Sequence, residues 1–425
     1  MSSELTSLGD GANGSTYSGG EAPPEDGHPL LEPTASPASG SVEELEEKYA
    51  PYVRIDAYGD MGRGELPFSE KLLLGIALAT LVPIRVAVGV MILILYYLIC
   101  RICTLFSEPN LEDGQEDYAH MVEWRRRVVV RCGRFLSRVM LFLFGFYWIH
   151  DYYRILNTED GYAKQFVDSE RPGAIVSNHV SYLDILYHMS SSFPSFVAKR
   201  PVARLPLVGL ISKCLGCVYV RRESRGSDFK GVSGLVTERI QEAHQNKLCP
   251  MMMLFPAPFH FGVYTTKYDT ISILHLPQNC GQTVACGHDV ESLKQSAHIE
   301  GTTTNGDYLL PFKTGAFLAK APVLPVILRY PYKRFSPAWD SISGVRHVSL
   351  LLCQFVNHIE VIHLPVYYPS DQEKEDPKLY ASNVRKFMAT EGKMILSDIG
   401  LAEKRFYHAV LNGNSLPCLL HEKDD

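Results

Sequence analysis

The chain has 425 residues, of which 46% are apolar, so it can bury a sizeable core in one large domain with appendages or in two small domains. Its net charge of −6 is unevenly distributed, because residues 1–70 hold 14 acidic and 3 basic side chains and the remainder carries a net charge of +5. The ten cysteines lack the spacing of a disulfide framework or a zinc site, and a mildly basic main body suits an anionic membrane surface or phosphate-bearing substrates.

The N-terminal stretch is polar and acidic. It includes GDGANGSTYSGGEAPPEDGHPLLEPTASPASGS, which is rich in Gly, Ser, Pro and Glu. Such a composition cannot bury enough apolar surface to offset the entropy lost on ordering, so we expect a disordered segment over residues 1–66. The stretch also lacks the basic and apolar regions of a secretory signal peptide. The cysteines are therefore expected to be reduced thiols that face the cytosol.

An apolar segment follows at residues 72–100, LLLGIALATLVPIRVAVGVMILILYYLIC. It exceeds the roughly 20 residues that cross a bilayer, and Pro83 and Arg85 interrupt it. Two half-length segments that meet near Pro83 as a hairpin in one leaflet fit this pattern, and so does a single kinked span. Either arrangement predicts a membrane anchor.

A basic and aromatic stretch comes next. Residues 124–138 contain six arginines, and the apolar run 139–149 is too short to span a bilayer. This pattern favours an interfacial helix lying on anionic lipid, and a core helix with a solvated basic face is the alternative. Residues 67–150 are therefore predicted to form membrane-anchoring helices.

From Gly173 onward, short apolar runs alternate with helical stretches. The runs are GAIVSNH, PSFVAK, GCVYVRR, MMMLFP and PVLPVILRY, and the helical stretches cover about 182–191, 204–213, 226–245 and 312–320. This alternation predicts an α/β domain over residues 151–369, with a mostly parallel sheet covered by helices. Residues 370–425 are expected to form two surface helices and a tail.

The segment SNHVSYLDILYH places His179 and Asp184 in an HxxxxD pattern where a predicted strand ends and a helix begins. Ligands bind at strand C-termini in α/β sheets. A histidine oriented by a carboxylate is a standard general base, because the carboxylate fixes the tautomer and stabilises the imidazolium. An aspartate that caps the helix beside a core histidine is the alternative interpretation.

Four stretches together resemble the motifs of the glycerophospholipid acyltransferase family. NHVSYLD resembles its first motif and VYVRRES (218–224) its second; FP (255–256) with EGTTTNG (300–306) resembles two halves of the third, and APVLPV (321–326) the fourth. The order and spacing match over about residues 70–410, and VAKR, PLVGLISK and ESRGSDFKGVSG bring the chain closest to the plant lysophosphatidylethanolamine acyltransferases.

The resemblance implies the family's α/β fold and acyl transfer from acyl-CoA to the free hydroxyl of a lysophospholipid, in phospholipid remodelling. It implies His179 as general base and Asp184 as its orienting carboxylate. It also implies Arg222 on the acceptor phosphate, with Arg221 as an alternative that strand alternation leaves open. The further implied contacts are with the acceptor's glycerol or headgroup for Glu300, Gly301, Thr302 and Thr303, and with CoA phosphates for Lys199.

The partners implied are acyl-CoA, a lysophospholipid and the bilayer. Acyl-CoA is a co-substrate, and no metal, other cofactor or nucleic acid is expected. The implied location is the endoplasmic reticulum membrane, with the catalytic domain on the cytosolic face. Lysophosphatidate and glycerol 3-phosphate remain alternative acceptors.

The chain departs from the family's contiguous FPEGT pattern, because residues 257–299 separate Pro256 from Glu300. The inserted residues show no sustained period of two or 3.6 that would give them a buried face. A surface loop of this length costs little closure entropy, so the fold is expected to survive it. A shift of Glu300 by about 1 Å can cost roughly a hundredfold in rate, so a catalytically impaired membrane protein on the same scaffold is the alternative function.

Overall fold

A computed structural model describes residues 42–60, 62, 64–108, 110–112, 115–118, 120–154, 172–220, 227–245, 251–255, 303–339 and 344–411. Most of the predicted disordered segment lies outside these residues, but its last part does not. Residues 42–60 form a helix, a turn and a β-hairpin, and Tyr49, Tyr52 and Tyr58 are buried. The prediction of disorder up to residue 66 is therefore wrong for 42–60, because these tyrosines supply the apolar surface that the more N-terminal residues lack. The other predicted domain boundaries remain predictions.

One mixed, mostly parallel sheet forms the centre of the described residues and confirms the predicted α/β class. Its seven described strands are, from one edge to the other, β5 (Ile149–Tyr153), β12 (Ile359–His363), β11 (Val323–Arg329), β6 (Ala174–Asn178), β9 (Met251–Phe255), β7 (Ser195–Lys199) and β8 (Val218–Val220). Only the β11–β12 pairing within this sheet is antiparallel, so β5 and β12 run against the other five strands.

The helices cover both faces of this sheet. They are α1 (Val42–Lys48), α2 (Phe68–Thr104), α3 (Glu123–Leu143), α4 (Leu183–Ser191), α5 (Val208–Cys214), α6 (Ser227–His244), α7 (Gly344–Cys353), α8 (Asp371–Glu375), α9 (Pro377–Gly392) and α10 (Leu401–Leu411). The side chains of α2 to α5 pack on one face and those of α6 and α9 on the other. Every residue of β6 is buried, as expected for a central parallel strand.

Three short two-stranded ladders lie apart from the main sheet. They pair β1 (Ile55–Asp56) with β2 (Gly59–Asp60), β3 (Asn110–Glu112) with β4 (Gln115–Asp117), and β10 (Tyr308–Leu309) with β13 (Ile395–Leu396). Short 3-10 turns occur at Ala50–Tyr52, Arg200–Arg204 and Thr314–Ala316. The predicted helix over 312–320 is therefore wrong. The chain forms a short 3-10 helix at Thr314–Ala316 followed by isolated turns, and Lys320 takes a positive φ of 57° that ends any helical path.

The predicted anchor is one continuous helix, α2, rather than two half-length segments. Its 37 residues span about 56 Å at 1.5 Å per residue, and the helix is long and apolar enough to cross a membrane. Pro83 lies within it. Arg85 is buried and donates hydrogen bonds to the carbonyls of Leu352 (2.8 Å) and Gln354 (2.6 Å) at the C-terminal end of α7. The Arg85 charge is thus neutralised by carbonyl dipoles of the protein and does not face lipid.

Two sides of α2 have different environments. One side packs into the core beside the sheet through Ile92, Tyr96 and Cys100, which meet Val129 and Leu136 of α3. The other side exposes a row of large apolar side chains: Leu72, Ile76, Ile84, Met91, Leu95, Leu98 and Ile102. Only this second side is available to lipid.

The arginine-rich helix α3 packs against the core, and its interfacial role stays a prediction. Its core face is buried, and its outer face exposes Trp124, Phe135 and Phe142. Arg126 and Arg134 donate to carbonyls at the C-terminal ends of α5 and α4, those of Cys214 and Ser192. Because helix C-termini carry partial negative charge, these arginines stabilise the packing of three helices. Part of the basic character of α3 therefore serves the fold.

Candidate functional site

His179 directly follows β6 at the carboxyl edge of the parallel strands. The preceding residue fixes this strand end: the Asn178 side chain donates to the Leu328 carbonyl (2.9 Å) and accepts from the Leu328 amide (2.8 Å). A side-chain amide thereby extends the backbone ladder between β6 and β11 by a further step. The chain then turns through residues 180–182 into α4, which brings Asp184 back toward the histidine.

His179 and Asp184 form a buried pair, with the His179 Nδ1 atom 2.5 Å from Asp184 Oδ2. The side chains are 3% and 0% exposed, so the contact between them is shielded from water. The same carboxylate oxygen accepts hydrogen bonds from the amides of Val180 (2.8 Å) and Ser181 (3.0 Å). The aspartate therefore holds the turn before α4 and orients the histidine ring, while the catalytic role of the pair stays a prediction. With Nδ1–H directed at the carboxylate, Nε2 is left as the basic nitrogen.

Tyr330 completes the set of donors around Asp184. Its hydroxyl donates to Oδ1, the carboxylate oxygen that the histidine does not contact. Burial, and then the negative charge of Asp184, raise the pKa of Tyr330 well above its ordinary value, so the hydroxyl stays protonated and continues to donate. Our sequence analysis missed this residue. The available signal was a tyrosine directly after β11, the strand that pairs with β6.

A second buried histidine lies one helical turn from Asp184. Burial lowers the pKa of His188 to about 3, so it stays neutral at physiological pH. Its Nε2 atom has no hydrogen-bond partner among the described residues. His188 thus carries no charge that would compete with His179 for the carboxylate.

The two ends of the interrupted third motif lie beside His179. Phe255, the last residue of β9, is in register with Asn178, and the Thr304 amide donates to the His179 carbonyl (3.2 Å). The described parts of the chain thus approach the same point from both sides of the insertion. The insertion itself, 257–299, lies outside the described residues.

The loop after the insertion is hydrogen-bonded to Trp339. Trp339 also borders residues 179–182, which we call the histidine turn. The Thr303 hydroxyl donates to the Trp339 carbonyl (2.8 Å), and the Trp339 amide donates to the Val180 carbonyl (3.0 Å). The ring of Trp339 meets the Tyr182 ring edge-on, with centroids 5.3 Å apart. Thr303 is the member of the predicted acceptor-binding group that the structure describes. Its hydroxyl proton is directed at the backbone, so its contact with an acceptor stays a prediction.

The remaining predicted site residues belong to the ends of β7 and β8 and to the third motif. Arg221, Arg222, Glu300, Gly301 and Thr302 lie outside the described residues, as does the side chain of Lys199. Lys199 is the last residue of β7, and β8 ends shortly before the two arginines. Both strands run parallel to β6, so they end at the same edge of the sheet as His179. β8 is three strand positions from β6, or about 14 Å at the usual spacing.

Comparisons with known proteins place this site in a family context. The family model described as Acyltransferase matches residues 160–256. The chain is 54% identical over 451 aligned positions, covering 100% of both proteins, to the protein named Lysophospholipid acyltransferase LPEAT1 from Arabidopsis thaliana. It is 28% identical to Lysophosphatidylcholine acyltransferase 1 from Danio rerio, over 76% of this chain and 51% of that protein.

A solved structure was also matched. The LPA acyltransferase PlsC from Thermotoga maritima shows 15% identity and a TM-score of 0.36, covering 74% of this chain and 100% of that one. The full-length similarity to the Arabidopsis protein, together with the acyltransferase match over the segment that contains His179 and Asp184, decides the assignment. The chain belongs to the glycerophospholipid acyltransferase family.

Proposed function

We propose that the chain transfers a fatty acyl group from acyl-CoA to the free hydroxyl of a lysophospholipid, with lysophosphatidylethanolamine as the favoured acceptor. The observation that carries the proposal is the buried His179–Asp184 pair at the carboxyl edge of the sheet. The full-length similarity to a protein named lysophospholipid acyltransferase supports the acceptor class. No metal or other cofactor takes part in the proposed reaction.

The chemistry follows from the orientation of the histidine. His179 Nε2 removes the proton of the acceptor hydroxyl while its oxygen attacks the thioester carbonyl carbon. The C–S bond then breaks, the new C–O ester bond remains, and the proton passes from the imidazolium to the leaving CoA thiolate. Asp184, which is held by two amides and a tyrosine, stabilises the imidazolium between these steps. A positioned general base typically contributes about 10²–10⁴-fold to the rate.

The substrate contacts remain as the family pattern implies them. We assign the acceptor phosphate to Arg222, with Arg221 as the alternative, since a guanidinium binds phosphate oxygens through two parallel hydrogen bonds. Glu300, Gly301, Thr302 and Thr303 contact the glycerol or headgroup, and Lys199 contacts the CoA phosphates.

In steady-state kinetics, Arg222→Ala should raise the KM for the acceptor more than the KM for acyl-CoA, because the guanidinium is assigned to the acceptor phosphate. Equal changes in the two KM values argue against this assignment.

The helices α2 and α3 support attachment to a membrane. The apolar outer side of α2 and the exposed aromatic side chains of α3 suit the bilayer core and its interface. We place the protein in the endoplasmic reticulum with the α/β domain on the cytosolic face. The free thiols of the six described cysteines fit a reducing compartment.

A catalytically impaired protein on the same scaffold is the second candidate function. The insertion within the third motif is the observation that favours it. Against it stands the approach of Phe255 and Thr304 to the histidine turn, which keeps both described ends of the third motif beside His179.

An acyl-transfer assay in sealed microsomes that contain the full chain tests the proposal. We expect labelled acyl-CoA to acylate lysophosphatidylethanolamine with a higher kcat/KM than lysophosphatidylcholine, lysophosphatidate or glycerol 3-phosphate. Acyl-CoA does not cross a sealed bilayer, so a cytosolic site should be fully active without detergent. Activity that appears only after permeabilisation contradicts the orientation. No transfer above that of vector-only microsomes, to any acceptor, contradicts the function.

Deletion of residues 257–299 should preserve the fold and increase kcat/KM for the acceptor. The deletion leaves four residues between Phe255 and Thr303, a bridge that reaches up to about 17 Å, and both ends already lie next to the histidine turn. A variant in which a Gly/Ser linker of equal length replaces 257–299 is the matched control and should stay close to the parent. Equal or lower activity in the deletion, at matched expression, would mean that the insertion is tolerated or contributes to the site.

Tyr330→Phe should lower kcat about tenfold and change both KM values less than twofold. The substitution removes one hydrogen bond to a buried carboxylate, an interaction worth roughly 1.5–3 kcal/mol, and leaves the ring in place. Tyr332→Phe is the matched control, because Tyr332 is 45% exposed and donates only to the Ile55 carbonyl (2.9 Å). An unchanged kcat in Tyr330→Phe, or an equal loss in both variants, rules out a positioning role for Tyr330.

A further inference from the structure

Two segments near the two ends of the described chain meet beside the histidine turn. We refer to residues 49–56 and 399–411 together as the terminal clasp. They share a small apolar cluster in which Tyr49, Tyr52, Leu310 and Tyr407 are buried. Both segments lie outside residues 160–256, the part of the chain that the acyltransferase model matches. The clasp is therefore an addition to that segment, and it contains a buried cation.

Lys404 of α10 is 8% exposed and directs its ammonium at the loop that follows the insertion. The Nζ atom donates to the Thr303 carbonyl (2.7 Å) and hydroxyl (2.8 Å), and it lies 3.5 Å from the Trp339 carbonyl. It also lies 5.3 Å from the centroid of the Tyr52 ring. Lysine is rarely buried unless its ammonium is satisfied, and here three backbone or hydroxyl oxygens and an aromatic face satisfy it.

The same two residues lead directly to the histidine turn. Thr303 precedes Thr304, whose amide donates to the His179 carbonyl, and the Trp339 amide donates to the Val180 carbonyl. One ammonium thus joins the two backbone segments that hold the turn on either side.

The N-terminal half of the clasp holds the same loop and α10. The Asn305 side-chain amide donates to the carbonyls of Ala50 and Val53, both at 3.0 Å, and the Asn305 amide donates to the Pro51 carbonyl. The Tyr52 hydroxyl donates to the Gly400 carbonyl (2.6 Å) at the start of α10. The loop that Lys404 binds and the start of α10 are therefore also held by residues 50–53.

We propose that Lys404 is a positioning residue for acyl transfer. It binds both Thr303 and Trp339 and thereby fixes the position of the third-motif loop relative to His179. This inference rests on the proposed function, because it assigns that loop to the acceptor. Thr303 is itself one of the predicted acceptor contacts, so displacement of Thr303 is expected to weaken acceptor binding. Acyl-CoA contacts are expected on other strands and should be affected less.

Lys404→Met removes the ammonium and keeps an apolar stem of similar length. We expect kcat/KM for lysophosphatidylethanolamine to fall about tenfold, since a misplacement near 1 Å can cost up to roughly a hundredfold, while the KM for acyl-CoA changes less than twofold. Lys374→Met is the matched control: it makes the same change in a C-terminal helix where the lysine is half-exposed and pairs with Asp371 (3.2 Å). An increase in the KM for acyl-CoA as large as that for the acceptor, or an unchanged kcat/KM for the acceptor in Lys404→Met, overturns the proposal.

Amide hydrogen exchange on the full chain gives a readout that does not need activity. In Lys404→Met we expect faster exchange in peptides that cover 179–184 and 303–310, with β12 unchanged. Unchanged exchange at 179–184 overturns the proposal even if no acyl transfer is detected, whereas an inactive parent chain with faster exchange in the variant overturns the proposed function alone.

A milder variant, used alone and combined with Lys404→Met, guards against misfolding of Lys404→Met. Thr303→Val removes one of the three oxygens around the ammonium. If Lys404 acts through Thr303, the losses in kcat/KM of the two single variants should not add in the double variant. Fully additive losses contradict the proposed route from Lys404 to His179.

Discussion

The buried Asp184 carboxylate imposes the constraint on which the site depends. Removing a charged group from water costs several kcal/mol unless its partners replace the lost hydration. Asp184 is 0% exposed, and its two oxygens receive hydrogen bonds from His179, two backbone amides and Tyr330. Each donor must stay in place for the buried charge to be tolerated. The contacts that keep the core stable are therefore the same contacts that orient the histidine.

The topology of the sheet explains how distant parts of the chain supply these partners. β6 lies between β9 and β11, and all three are parallel, so their carboxyl ends meet at one edge. The strand ends deliver His179, Phe255 and Tyr330 to neighbouring positions. The chain beyond β9 returns at Thr304 to the same edge. The described ends on either side of residues 257–299 thus both lie beside His179, which agrees with the expectation that a long connection between them costs little closure entropy.

The helices α2 and α3 pack into the core that also contains the site. α2 and α3 contribute Ile92, Tyr96, Val129 and Leu136 to the same core as α4, the helix that carries Asp184. Arg134 joins α3 to the end of α4 through the Ser192 carbonyl. Removal of α2 would therefore expose the core beside the site.

Sequence patterns predicted the parts of this structure that depend on residues close together in the chain. Apolar runs identified β6, β7, β8, β9 and β11, and the HxxxxD spacing identified the histidine–aspartate pair. β5, β12 and α7 were not predicted. β5 is a polar, mostly exposed edge strand and gives no apolar run, and β12 and α7 lie beyond the four motifs. The roles of Tyr330 and Lys404 were also missed. They depend on contacts 146 and 101 residues away along the chain, and neither local periodicity nor composition records which distant side chains meet.

The central claim is that His179, oriented by Asp184, is the base that activates the acceptor hydroxyl. The most direct measurement compares kcat for acylation of lysophosphatidylethanolamine between the parent chain and His179→Ala in microsomes with equal amounts of protein. His150→Ala, a change at an exposed histidine on β5, is the control. The account predicts a loss of at least about 10²-fold in His179→Ala, with expression and membrane association unchanged. Retention of more than about a tenth of the parent activity would contradict it, because the loss would then fall below the lower end of the usual contribution of a general base.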